Sequence, residues 1–181
     1  NKRPEKMVNA DLDTGTVEIW IEEVEVLSQA KQMPFDIEKE ELDLQLPTLL
    51  DYRTLTLRHS RVSRVFKVQE AIMEGFRSAS QKLGCTEIFT PTISASSTEG
   101  GTEVFKVQYY DHNAFLVQSP QLYKQMLACS FEKTVTITPV WRAEKHNTPR
   151  HINEIRQMDI EASFYDQMSV MQELEKAVKH V

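Results

Sequence analysis

The stretch WRAEKHNTPRHINEI, from Trp141 to Ile155, concentrates residue types that can do chemistry. It holds two arginines, Arg142 and Arg150, two histidines, His146 and His151, and two carboxylates, Glu144 and Glu154. A plain surface turn has no need of so much mixed charge. A site that must hold a polyanion beside a cation does. Apolar, strand-like runs flank the stretch, KTVTITPVWRAE before it and IRQMDIEASFY after it. Side chains alternate faces along a strand. Val140, Arg142 and Glu144 therefore share one face of the first run. In the second, Met158, Ile160, Ala162 and Phe164 share one face and Asp159, Glu161 and Ser163 the other. Antiparallel pairing could then present Arg142, Glu144, Asp159 and Glu161 near one surface.

Other elements must hold these strands in place. SRVSRVFKVQEAIMEGFRSASQKLG (Ser60 to Gly84) carries the strongest helical pattern, with Val62, Val65, Phe66, Gln69, Met73, Phe76 and Leu83 at helical spacing. Gly84 stands where a left-handed cap ends a helix, and Gly75 could let another backbone approach. TEIFTPTI (Thr86 to Ile93) is β-rich, but Pro91 confines it to an edge or ends it. SASSTEGGTEVF, with Gly100 and Gly101, reads as a mobile loop. VFKVQYY and AFLVQ around DHN read as a hairpin. In SPQLYKQMLACS, Ser119 is placed as the N-cap and Pro120 at the first helical position. A last helix, marked by Met171, Leu174 and Val178, starts near Asp166. Towards the amino end, Asp13 to Ala30 alternates as a strand with a bulge at Glu22–Glu23. Lys31 to Arg58 reads as an extended connector. This order predicts an α+β fold, with an antiparallel sheet flanked by helices.

The formal net charge is −6, so any nucleic-acid binding must come from a local patch. Cys85 and Cys129 form no CxxC or Cys/His cluster, which argues against zinc and for reduced thiols. No segment approaches the roughly 18 apolar residues of a membrane span, and the amino-terminal stretch has no apolar signal core. A cytoplasmic protein without a membrane partner is expected. GxxxxGK[ST] and GxGxxG are both absent, so neither a P-loop nor a Rossmann turn is supported. Both ends of the chain read as cut.

Several stretches together resemble the class II aminoacyl-tRNA synthetases, and among them the aspartyl-tRNA synthetases of archaeal and eukaryotic type. VWRAEKHNTPRHINEIRQMDIEASF looks like motif 2, and RVFKVQEAIMEGFRSASQKLGCTEIFTPTI like motif 1. SSTEGGTEVFKV resembles the family's flipping loop, and LVQSPQLYKQML its amino-acid-binding helix. RPEKMVNADLDTGTVEIWIEEVEVLSQAKQMPF is similar to the end of the anticodon-binding OB-fold β-barrel and the start of the hinge. The resemblance implies residues 1–30 as the end of the OB domain, 31–59 as the hinge and 60–181 as the first part of the catalytic domain.

It also implies ATP-dependent ligation of aspartate to tRNA, with magnesium, in a homodimer. On that basis Arg142 is the catalytic arginine, bridging the substrate carboxylate and the α-phosphate; a planar guanidinium suits two oxygens at once. The other reading of Arg142 is a surface salt bridge to Glu144. Arg150 and His151 are expected near the γ-phosphate, or simply in solvent. Glu144 is expected to hold the adenine amino group or orient the loop. Lys124 is expected to pair with the side-chain carboxylate of aspartate, and Gln121, one turn earlier on the same helix face, to contact the amino acid. Glu99 and Asp159 are expected on the side of the substrate ammonium. The alternative makes Gln121 and Lys124 ordinary exposed polar residues of a helix. His112 and His146 read as surface residues, and Trp141 as core. Pro91 and Phe76 are expected at the dimer interface, with core packing inside one subunit as the alternative.

Two departures matter. Nothing resembles the glycine-rich motif 3 with its second arginine, or the acidic magnesium ligands before it, so no metal ligand is assigned and the chain alone is expected to be incomplete and inactive. Ile155 stands where the family usually has a phenylalanine stacked on adenine; it offers apolar contact without a ring face. Three alternatives therefore stay open: a non-catalytic synthetase-like paralogue, a truncated module, or an adenylate-forming relative that makes asparagine. The tRNA partner is that for aspartate, with the tRNA for asparagine as a wider option.

Overall fold

The computed structural model describes residues 1–98, 103–145, 148 and 150–181 and divides at Thr56 into two units, Asn1–Thr56 and Leu57–Val181. In the first unit the expected strand over residues 13–30 does not form. A 3-10 turn, Glu5–Met7, is followed by one bridge, Lys2 with Val17, and the chain beyond runs without a strand partner among the described residues. Ile19 (89% exposed), Ile21 (74%) and Leu27 (88%) stay in solvent. The physical reason is that a lone alternating run cannot pair its backbone or bury either face. The connector is also partly helical. Helix α1 (Leu46–Asp51) has Pro47 in its first turn, where no backbone donor is lost, and α2 (Arg53–Thr56) follows. The Thr56 hydroxyl ties them by donating to the Leu49 carbonyl at 2.9 Å.

The second unit opens with α3 (Ser60–Lys82), whose inward face carries Phe76, Ala79 and Ser80. Only the carboxyl half of the expected stripe is covered; Val65 and Phe66 remain exposed, as does Val68 outside the stripe. Gly84, at φ +76°, ends the helix as expected: its N–H donates to Gln81 and that of Cys85 to Ser80, a Schellman pair. Gly75 does allow a close approach, since a Cβ there would lie 3.1 Å from the Val181 Cα.

The run around Pro91 splits between two sheets. Strand β1 (Thr86–Glu87) and β2 (Ile93–Ser94) lie on either side of the proline. The hairpin β3 (Lys106–Tyr109) and β4 (His112–Leu116) turns at Tyr110–Asp111, slightly earlier than DHN, with Tyr110 at φ 55°. Helix α4 (Gln121–Phe131) has Pro120, not Ser119, as its N-cap; no side chain caps it, and Ser119 is buried instead. Strands β5 (Lys133–Trp141) and β6 (Glu154–Ala162) form the long antiparallel ladder, and α5 (Gln167–His180) closes the chain. One sheet is ordered β1-β5-β6 and the other β2-β4-β3. The first is mixed, since β1 runs parallel to β5; the long crossover through the hairpin and α4 permits this.

Asp166 caps α5, accepting from the Ser169 N–H at 2.8 Å and its hydroxyl at 2.6 Å. The α5 stripe differs from expectation: Met171, Leu174 and Val178 are exposed, and the small Ala177 is the buried residue. Behind the long ladder, α3, α5 and β6 line a cavity of about 320 Å³ that includes Phe76, Met158, Ile160 and Leu174. The other face of the ladder carries the chemistry.

Candidate active site

Register decides which side chains meet. Thr134 lies opposite Glu161, Thr136 opposite Asp159 and Val140 opposite Ile155. The ladder extends past its last strand residue, with the Arg142 N–H donating to the Asn153 carbonyl at 2.9 Å. Directly opposed residues share a face, so Arg142, Asp159 and Glu161 lie on one side, as the alternation in the sequence predicts.

Helix α4 packs on that side. Its carboxyl end is fixed by Ser163, whose N–H donates to Glu132 at 2.8 Å and whose hydroxyl donates to Ala128 at 2.9 Å. Its entry is fixed by Val117, whose carbonyl accepts from the Trp141 N–H at 2.9 Å. Held at both ends, α4 turns Lys124 onto the sheet. That residue is 9% exposed, with its ammonium 3.3 Å from Asp159 Oδ2 and 3.4 Å from Glu161 Oε2. Oδ2 of Asp159 has no directed hydrogen bond, while Oδ1 accepts from Gln157 at 3.1 Å. Gln121 begins the same helix, one turn before Lys124, and is half-buried. Lys124 is thus a buried cation between two carboxylates, not an exposed helix polar.

At the far end of the ladder a second group assembles. Arg142, Glu144, Arg150, His151, Ile152, Asn153 and Ile155 line a cavity of about 290 Å³. That volume is near the lower bound, roughly 300 Å³, of small-molecule sites. Two arginines and a histidine suit phosphate oxygens, and the isoleucines offer apolar contact. Thr148 orders the loop: its Oγ1 lies 2.6 Å from His151 Nδ1 and accepts the Arg150 N–H at 3.3 Å. The residues present therefore fit a nucleotide's phosphates. A magnesium site of protein ligands is not evident, because among the described residues no three His, Cys, Asp or Glu groups gather.

Glu99 and His146 lie outside the described residues. The flanks of the glycine-containing loop are tied to the site. Ser97 donates to Gln118 Oε1 at 3.0 Å, Thr98 accepts the Gln118 N–H at 3.2 Å, and the Glu103 carbonyl accepts the Ala143 N–H at 3.1 Å. Gln118, fully buried, and Asn153 were not picked out by sequence reasoning; neither sits in a periodic pattern. Of the pair expected at a dimer interface, Pro91 is exposed, but Phe76 is only 8% exposed and faces the cavity behind the ladder. Its helix position turns it towards the chain's own sheet. His112 is exposed beside Asp111.

A model of the class II tRNA synthetases for aspartate, lysine and asparagine matches residues 45–181. The chain belongs to this family. An Archaeoglobus fulgidus protein named Aspartate--tRNA(Asp/Asn) ligase is 45% identical over 169 residues, 92% of this chain and 39% of that protein. One of the same name from Thermus thermophilus is 42% identical, covering 91% of this chain and 39% of its own length. This class II synthetase chain thus spans about two-fifths of the length of the curated relatives it matches. The structure of asparaginyl-tRNA synthetase from Pyrococcus horikoshii complexed with asparaginyl-adenylate superposes with TM-score 0.79 at 31% identity, over 91% of this chain and 39% of that one. A Leishmania major protein named as an aspartyl-tRNA synthetase gives 0.73 at 29%, over 82% and 30%. The catalytic-core fold expected from the motifs is the fold of these class II neighbours.

Proposed function

We propose that this chain is part of an aspartate–tRNA ligase and supplies its aspartate pocket and part of its ATP pocket. The observation that carries the reading is Lys124, buried between Asp159 and Glu161 on the sheet face that also bears Arg142. A buried ammonium favours a carboxylate over a carboxamide, because a charge-assisted hydrogen bond is roughly twice as strong as one to a neutral amide. Lys124 receives the aspartate side chain, with Gln121 beside it, and Asp159 and Glu99 take the substrate ammonium. Arg142 draws the substrate carboxylate and the α-phosphate together; Arg150 and His151 hold the terminal phosphates, Glu144 the adenine amino group, and Ile155 packs on the base. ATP would supply the adenylyl group: the aspartate carboxylate bonds to the α-phosphorus and pyrophosphate leaves. Magnesium bound to the nucleotide would neutralise part of the phosphate charge beside Arg142, Arg150 and His151.

In this reading residues 1–30 end an OB-fold domain, 31–59 form the hinge and 60–181 begin the catalytic domain of a cytoplasmic homodimer that charges tRNA for aspartate, and for asparagine in the wider case. The relatives' names support the two-tRNA option. The asparaginyl-adenylate complex keeps asparagine as the competing substrate. The test is aspartate-dependent exchange of pyrophosphate into ATP by the protein that carries this chain. Exchange with aspartate and not asparagine, abolished by Arg142→Ala, is the expected result. Exchange with asparagine alone contradicts it. Absence of exchange with either amino acid is what a binding module predicts.

A further inference from the structure

Beyond Trp141 and before Glu154 the two long strands part, and ladder bonding should stop. A single residue, Asn153, continues it with both its side chain and its backbone carbonyl. The Asn153 carboxamide nitrogen donates to the Arg142 carbonyl at 2.8 Å and to the Glu144 carbonyl at 3.1 Å. Its backbone carbonyl accepts the Arg142 N–H at 2.9 Å. Both side-chain partners are carbonyls, which only accept, so the NH₂ end of the carboxamide faces them. From the opposite side, the Ala143 N–H is held by Glu103 at 3.1 Å. The 142–144 segment is therefore held on both edges, Arg142 and Glu144 by Asn153 on one and Ala143 by Glu103 on the other. A backbone held this way repeats the strand's alternation for two more residues and keeps both functional side chains on the cavity.

We infer that Asn153 is a positioning residue for Arg142 and Glu144, acting through their carbonyls and setting the affinity of the cavity for a nucleotide triphosphate. This rests on the nucleotide reading of that cavity. Asn153 is exposed, so its replacement opens no core cavity.

The experiment reads two quantities in the protein that carries this chain and in its Asn153→Ala and Asn153→Asp variants. Amide exchange at Arg142 and Ala143 is followed by NMR, with Thr136 and Thr138 as references inside the ladder. The Kd for magnesium-ATP is measured by calorimetry. Exchange should accelerate roughly tenfold at Arg142 and Ala143 alone, and the Kd should rise about tenfold, equivalent to about 1.4 kcal/mol. Both effects should be larger in Asn153→Asp. Aspartate keeps the shape of asparagine but turns two acceptors towards two carbonyl oxygens. A merely space-filling asparagine predicts the reverse order, with aspartate near wild type. That order, or unchanged exchange, overturns the proposal. If the unaltered protein takes no magnesium-ATP, the nucleotide reading fails by itself, and the order of exchange rates still decides the role of Asn153.

Discussion

Two carboxylates share the Lys124 ammonium, Asp159 at 3.3 Å and Glu161 at 3.4 Å. At an effective dielectric of about 20, each contact is worth roughly 5 kcal/mol. Burying each of three ions costs several kcal/mol of hydration, so the cluster adds little net stability. What it does is keep a cation ready on the sheet for an arriving carboxylate. Removing the cation alone is different. Lys124→Leu leaves Asp159 and Glu161 facing each other without a counter-charge, and should cost about 3 kcal/mol in denaturant unfolding at neutral pH. The double-neutral partner Lys124→Leu/Asp159→Asn should recover part of that loss. The thiols differ as well. Burial pushes the Cys85 thiol up, partly offset by the Lys133 ammonium, whereas Cys129 is exposed. Iodoacetamide at neutral pH should therefore label Cys129 first, as mass spectrometry of tryptic peptides would show.

At the level of elements, the ends of helices are the most testable features. Gly84 occupies the left-handed region at φ +76°, with nothing within 4 Å of an added Cβ. Gly84→Ala should thus cost about 1 kcal/mol from the backbone alone, read as a lower thermal midpoint. Ser169 holds the Asp166 carboxyl below its ordinary value through its hydroxyl and backbone N–H. A depressed pKa stabilises above the unfolded value and is lost as pH falls through the folded one. Asp166→Ala should lower the midpoint at pH 7, and the gap should close as the pH drops below the usual carboxylate range. The same elements show what the sequence could and could not tell. Period-two alternation placed Arg142, Asp159 and Glu161 on one face correctly, because register in a two-stranded ladder follows from alternation. Gly84 was legible because few residues other than glycine fit its backbone. The strand expected over residues 13–30 was not, since alternation says nothing about whether a partner strand exists. The helices α1 and α2 were too short to show a period. Asn153 was invisible because its work is done by hydrogen bonds across the chain, which no local pattern encodes.

For the molecule as a whole, the class II family match runs over residues 45–181, and the chain covers 39% of the relatives' length. Among the described residues β6 pairs on one side only, and Val65, Phe66 and Val68 on α3 are exposed. The proposed dimer puts that α3 surface and Pro91 at the interface, while Phe76 serves the core. Sedimentation of the protein that carries this chain should show a dimer at micromolar concentration, and Phe66→Glu should shift it towards monomer; an unaltered profile would remove α3 from the interface. The central claim is narrower: the buried Lys124 makes this an aspartate site. The most direct measurement is a calorimetric titration of the protein that carries this chain with aspartate and with asparagine, for wild type and Lys124→Met. The account predicts roughly tenfold or greater preference for aspartate, abolished in the variant as expected for a lost charge-assisted pair. Equal affinity for the two amino acids, or a preference that survives without Lys124, would contradict it.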